Sequence, residues 1–407
     1  MVVTAATVAS DALTAGPVAR PRLAIGMAAA MQAVGGGLGW SLLPATMTLV
    51  AKELSLSKSM GQLIWGAASL GIAVSAPLGG AAVDRFGPRR VAGFAMLVGA
   101  VACALRAAAT DAWSLAGCML LFGMHIGFVA PAIPKALAGH LPLAKVARAN
   151  GLALFAYTMG TALVLYVGAT ELAPALGGWR NASIVAGLAM AVTGLVWLGV
   201  MRDRFVPARH ASLRDGFALL RIASMRRVAL MHFLVFGGYI ALLGLLPRAL
   251  LAAGVKPAAV GATVAAWLVA AGVANFGGPW LSDRLGRRRR PLFLVGGLVA
   301  GLALGLLALA PSDWAIPLLV LAALGGGSFA PLLLTQPLEI EGVGAARFGG
   351  ALGLLMLVGQ LGGFLLPLLS GVLADGAGGF ALAIGALAVC HLLVVVPAWG
   401  LRETRSL

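Results

Sequence analysis

Charge is what this chain has least of. Of its 407 residues only 10% are Asp, Glu, Lys or Arg, against 61% hydrophobic, and the mean hydropathy is +1.00. A soluble domain carries about 25% charged residues, so a surface wetted on all sides is excluded and the chain reads as a membrane protein. Cysteine is nearly absent as well. Cys103, Cys118 and Cys390 all fall in apolar runs, with neither the pairing of a disulfide framework nor the spacing of metal ligands, and read as small packing residues. There is no HExxH, no GxxxxGK[ST], no nucleophile motif and no pair of intramembrane aspartates. These absences argue against a membrane-embedded enzyme, an ATP-driven pump and any catalytic residue, cofactor or metal. Residues 1–21 lack the charged start, apolar centre and cleavage site of a secretory signal in that order, and read as a polar tail.

What is present is a series of apolar runs, each long enough for the roughly 20 residues that a membrane-spanning helix needs. Gly, Pro or charged residues divide them into twelve predicted helices: 23–49, 59–82, 91–110, 113–139, 149–172, 181–201, 228–251, 258–281, 292–310, 314–337, 349–373 and 379–400. The runs are apolar on every side, which excludes the alternating strands of a porin-type barrel. With the N-terminus inside, 23 of the 29 Lys and Arg fall on inner segments. Lys52, Lys58, Arg106, Arg180, Arg248 and Lys256 are left on the outer side or at outer helix ends. Arg106 and Arg248 are expected to snorkel to the interface. This alternation is the positive-inside pattern. It accounts for the net charge of +16 without nucleic acid and places both termini in the cytoplasm. The expected organisation is an N-terminal tail (1–22), a six-helix bundle (23–201), a basic linker (202–227), a second bundle (228–401) and a C-terminal tail (402–407).

The chain repeats itself. AAVDRFGPRR at 81–90 returns as WLSDRLGRRR at 280–289, with Asp84 and Asp283 standing 199 residues apart. Ala147-Arg148 answers Ala346-Arg347, and Gly160-Thr161 answers Gly359-Gln360, at that same offset of 199. Phe128 with Pro131 answers Phe329 with Pro331, and Leu43-Pro44 answers Leu246-Pro247. Two tandem halves of the same topology follow, an arrangement that places a substrate site between them near the bilayer midplane.

Helix two followed by Gly80, Asp84-Arg85, Gly87 and Arg89-Arg90 resembles the signature loop between helices two and three of the major facilitator superfamily of secondary transporters. The second copy keeps Asp283-Arg284, Gly286 and Arg287-Arg288, with Pro279 in place of the leading glycine and Gly278 one step off. The stretch 128–151, followed by GGWR at 177–180, resembles the cyanate- and nitrate-type porter branches, although the mid-membrane arginines of nitrate porters in helices two and eight are missing. The resemblance implies an all-α fold of two pseudo-symmetric six-helix bundles, functional as a monomer in a bacterial inner membrane. It also implies that Asp84 meets the start of helix eleven near Arg347, and Asp283 the start of helix five near Arg148, as an inner gate.

The resemblance further implies that helices one, four, seven and ten line a central cavity. Their polar and aromatic residues are Gln32, Trp40 and Ser41, then His125, then His232, Phe236 and Tyr239, then Ser328 and Gln336. Helices five and eleven add Tyr157, Thr158 and Gln360. His125, near mid-membrane, is the foremost candidate because a titratable group there is costly unless it works. His232 is expected to act nearer the inner end, and His391 to be a packing residue. No Asp or Glu lies in the middle third of any predicted helix, and helix five reads AYTMGTALVLYVG without the Gly-Pro of drug/proton antiporters. Both features disfavour multidrug efflux. The expectation is alternating-access transport of a small anionic or neutral organic solute, with a co-transported proton or ion left open. A drug/proton antiporter and a non-transporting receptor on the same scaffold remain as alternatives.

Overall fold

The computed structural model describes residues 20–203, 213–286, 289–309 and 312–401. Twelve helices in it are long and apolar enough to cross a membrane. In chain order they are α1 (Pro21–Glu53), α2 (Lys58–Phe86), α3 (Pro88–Ala108), α4 (Ala112–His140), α5 (Arg148–Ala175) and α6 (Trp179–Val200). Then follow α7 (Ala223–Ala252), α8 (Pro257–Arg284), α9 (Arg290–Leu307), α10 (Ala315–Glu339), α11 (Arg347–Asp375) and α12 (Gly379–Trp399).

Local chemistry sets the ends. Proline occupies the first turn of α1, α3, α8 and α9, where its missing N–H has no helical partner to lose. Ser57 caps α2 through the Met60 N–H, and Asp111 with Ser114 forms a capping box on α4. Gly87 and Gly286 stand at φ +86° and +69° just past α2 and α8, a left-handed turn that favours glycine. Both helices run about one turn beyond the ends read from the sequence, 82 and 281, so Asp84-Arg85 and Asp283-Arg284 lie in final helical turns. Charge ends an apolar run, yet a helix continues through the headgroup region, where backbone bonds still form.

The two halves pack alike. In the first, α1 lies on α5, α2 on α4, and α3 on α6; α7 on α11, α8 on α10, and α9 on α12 repeat the scheme. The halves meet along α2–α11 and α5–α8, with α7 also touching α1 and α2. Outward faces stay apolar, as with Leu188, Val192 and Leu195 of α6 at 60, 60 and 58% exposure, which suits a lipid surround.

Two helices depart from regular geometry. Gln32–Trp40 in α1 is π-helical, and there Gly37 approaches Gly160 so closely that a Cβ would lie 2.9 Å from its Cα. α10 breaks after Gly326 and resumes at Phe329. The linker's second part, Leu213–Ala218, rests on α11 with Gly216 against the Gly350 carbonyl, and α7 begins at Ala223, five residues before the expected start. The expectations for the tails at 1–19 and 402–407, for 204–212 and for Arg287 and Arg288 lie outside the described residues.

Candidate functional site

The molecule has an arginine-rich end, carrying the α2–α3 and α8–α9 turns, and a far end carrying the α1–α2 and α11–α12 turns. Six hydrogen bonds join the halves among the described residues, and all lie toward the far end. The backbone N–H groups of Lys58 and Ser59, the first turn of α2, donate to the Asp375 carboxylate at 2.8 and 2.9 Å. Asp375 closes α11, so a carboxylate of one half sits on the positive end of a helix in the other. Lys58 Nζ donates to the Ala374 carbonyl at 2.5 Å, and Arg248 makes a long contact of 3.4 Å with the Ser57 carbonyl. Deeper in, Gln62 Nε2 and Trp65 Nε1 donate to the Ala241 and Ile240 carbonyls at 3.1 and 2.8 Å. Trp65 lies 4.5 Å from Trp40, ring to ring, and Trp40 lies 6.5 Å from Phe122. Trp65 links this buried aromatic cluster of the first half to α7 of the second. Sequence reasoning found Trp40 but missed Gln62, Trp65 and Asp375, because their partners are main-chain groups of the other half.

At the arginine-rich end the prominent contacts are made within each half. Asp84 forms an ion pair with Lys135 of α4. Arg89 takes the Asp203 carboxylate on its backbone N–H at 2.9 Å and reaches the Leu198 carbonyl with its side chain, tying α3 to the end of α6. Arg289 bonds Glu339 at 2.5 Å and Thr335 at 2.9 Å, tying α9 to α10. Asp283, Arg284, Gly286, Arg85, Arg90 and Arg148 are exposed, and Arg347 reaches the Gly342 carbonyl of its own half at 3.3 Å. Asp203 and Glu339 carried no motif and were not foreseen.

The leading glycine of the signature needs correction. A Cβ on Gly80 would meet nothing within 4 Å. Gly79 is the close contact, where a Cβ would lie 2.3 Å from the Gly127 carbonyl of α4. Its counterpart 199 residues on is Gly278, pressed against Ser328 of α10. The second copy is thus intact one position earlier, because the register that matters is the face toward α4 or α10.

The candidates for the interior divide. Gln32 Oε1 and the Tyr157 ring lie against Gly36, and Tyr157 is within electrostatic reach of Tyr239 from the other half. Tyr239 stacks near Trp267 of α8 at 5.4 Å. Phe236 and Ser69 both approach Gly363 of α11. Thr158 lies beside Gly272 on the α5–α8 seam, and Ser41 bonds Thr161 at 3.0 Å. Gln360 keeps a buried Oε1, Ser69 its Oγ and His232 its Nδ1 without hydrogen-bond partners among the described residues. His232 itself is 3% exposed, wedged against Gly359 and 5.7 Å from Phe236.

Three expected cavity residues lie elsewhere. His125 is 2% exposed, set between Gly35 and Gly99 with Nδ1 bonded to the Phe122 carbonyl at 2.5 Å. It belongs to the core of the first half and borders a lateral cavity of about 420 Å³ among α2, α3 and α4. Ser328 lies on the α8–α10 contact and borders the matching cavity of about 430 Å³ in the second half. Gln336 joins the Arg289 cluster at 3.4 Å. Position along a helix was legible, but the face was not. Arg106 also departs from expectation: it is 0% exposed, donates to the Gly39 carbonyl at 2.8 Å and lies 4.3 Å over Phe122. Its Nε and second terminal nitrogen lack partners among the described residues. It braces the π-helical stretch of α1 and does not snorkel.

A lipid-facing exterior around two equivalent bundles, with polar and aromatic groups gathered on the seam between them, is the architecture of a twelve-helix solute transporter. The family model for the Major Facilitator Superfamily matches residues 25–341 and again 229–406. The chain belongs to the major facilitator superfamily; it is a secondary transporter of the membrane and not an enzyme. It is similar to the probable nitrate/nitrite transporter NarK2 of Mycobacterium tuberculosis, with 28% identity over 353 residues covering 83% of this chain and 85% of that protein. It is also similar to human monocarboxylate transporter 11, at 30% identity over 384 residues covering 85% and 79%. A solved bacterial homolog of the human lysosomal transporter Spinster, inward-facing and occupied, superposes with a TM-score of 0.80 over 93% of this chain and 96% of its own, at 15% identity. A D-xylose-proton symporter superposes at 0.73 over 94% and 98%, with 16% identity. At those identities the likeness is one of fold.

Proposed function

We propose that this protein moves a small anionic solute across a bacterial inner membrane by alternating access, with the far end outside and the arginine-rich end in the cytoplasm. The observation that carries this reading is the asymmetry of closure. The hydrogen bonds between halves among the described residues cluster toward the far end, and Asp84 is paired within its own half. On this reading the present conformer is the one whose path opens toward the arginine-rich end. In the opposite conformer Asp84 and Asp283 would exchange their present surroundings for the starts of α11 and α5, near Arg347 and Arg148. The expected contact of Asp84 with the start of α11 is not made here, where Asp84 pairs with Lys135, and this reading assigns it to the opposite conformer.

The anionic class is supported by two relatives whose names specify nitrate/nitrite and monocarboxylate, and by the lack of any carboxylate in mid-helix to hold a cation. In this reading Gln32, Tyr157, Tyr239 and Gln360 orient the solute. The deciding experiment is counterflow in proteoliposomes, with nitrate, acetate and lactate tested beside xylose and a lipophilic cation. Exchange confined to the anions supports the reading, whereas exchange confined to xylose or to the cation rejects it.

A further inference from the structure

The far end is closed but not flush. An open depression of about 320 Å³ remains between α1, α2, α7 and the start of α12, lined among others by Thr48, Lys52, Leu56, Lys58, Arg248 and Phe380. Three of these are cations, drawn from both halves, and no carboxylate lines the space. Positive charge is scarce at this end, where only six of the 29 basic residues lie. Of the other three, Arg180 is paired with Glu53 at 2.8 Å, Arg106 is buried, and Lys256 lies outside the cavity. Half of the far-end cations therefore ring one hollow.

Their existing contacts leave charge unmatched. Lys52 is exposed and makes no hydrogen bond or ion pair among the described residues. Arg248 has its long contact with the Ser57 carbonyl, and Lys58 donates to a neutral carbonyl while lying 4.8 Å from the Phe380 ring centroid. Asp375, within electrostatic reach of Arg248, is engaged by the first N–H groups of α2. A ring of like charges beside a helix N-terminus raises the local concentration of anions. Its volume, at about 30 Å³ per water, has room for a hydrated small oxyanion that stays open to solvent on one side.

We propose that this cavity is a capture site for small mono- and dianions at the closed outer mouth, with Lys52 and Arg248 as the principal donors and Lys58 linking the captured charge to the gate. It rests on the anionic-solute reading and adds a second site, distinct from the seam residues deeper in. The arrangement separates loading from passage: the anion waits beside the contacts that must break for the mouth to open.

The test uses Leu56→Cys, and separately Thr48→Cys, in full-length protein whose three native cysteines are replaced. The reagents are an anionic and a cationic methanethiosulfonate of similar size. Relative to a cysteine at exposed Thr110, the anionic reagent is expected to react about fivefold faster than the cationic one at low salt. Lys52→Gln and Arg248→Gln reduce that preference, and Arg248→Lys retains it. Millimolar nitrate or succinate slows the labelling at constant ionic strength, whereas sucrose does not. Equal rates for the two reagents at both positions, or no protection by either anion, overturns the proposal. Charge preference and protection without anion counterflow would leave the capture site standing and reject the anionic-substrate reading. Anion counterflow with neither effect would do the reverse.

Discussion

Replacing Asp375 by asparagine keeps the size of the far-end clasp and removes its charge. In the native protein the two carboxylate oxygens accept from Lys58 and Ser59 at 2.8 and 2.9 Å. Hydrogen bonds to a charged group contribute about 1.5–3 kcal/mol when intact, and a carboxylate on a helix N-terminus about 0.3–1, up to ~2 where partly buried. Asp375 is exposed and asparagine retains one acceptor, so solvent screening brings the expected loss down to roughly 1–2 kcal/mol. That energy belongs to the closed mouth alone, because the contact spans the two halves. It therefore moves the conformational equilibrium toward opening at the far end by about 5- to 30-fold. Spin labels at Thr110→Cys and Asp313→Cys, exposed far-end sites in opposite halves, report the change as a growing long-distance population in pulsed electron resonance. An unchanged distance distribution in both Asp375→Asn and Asp375→Ala would refute the clasp.

Other outcomes follow from the same geometry. Gly79→Ala forces a Cβ toward the Gly127 carbonyl, a backbone atom that cannot step aside; it should lower thermal stability by about 1–3 kcal/mol, while Gly80→Ala stays within about 0.5 kcal/mol, both read by scanning fluorimetry. Trp65→Phe keeps most of the aromatic stack but leaves the Ile240 carbonyl without its donor, at about 1 kcal/mol, and should make Ser69→Cys more reactive from the far end. Asp203→Ala removes the acceptor from the start of α3 and should destabilise the first half by about 0.5–2 kcal/mol. At Asp111 the Ser114 backbone N–H, foremost among its partners, holds the carboxyl below the ordinary carboxylate range. Its contribution is therefore present above the unfolded value of about 3.9 and is lost as pH falls through the lower folded value. The stability gap between wild type and Asp111→Asn should close as pH falls below the unfolded value.

Much of the architecture is legible in the residues because the membrane imposes it. Scarce charge, long apolar runs and arginines collected on alternate turns are enough for twelve helices in the right places. The spacing of Asp84 and Asp283 is enough for two halves. The site was less legible. His125 and Ser328 occupy the expected helices but face into their own bundles, while Phe236 meets Ser69 of the other half beside Gly363. Asp375 and Trp65 join the two halves through backbone partners that leave no pattern in the chain.

By itself, then, the sequence determined the solvent of this protein, the number of its spans and its internal duplication, since each follows from hydrophobicity, charge and repetition along one dimension. The tertiary structure alone decided which face of each helix turns to the seam, which glycine of the pair 79–80 touches α4, and at which end hydrogen bonds join the halves among the described residues. The physical reason is that lipid and bundle core are equally apolar. A helix suited to both carries little polarity contrast around its circumference, and its orientation emerges only when small residues, aromatic rings and main-chain acceptors of separate helices meet.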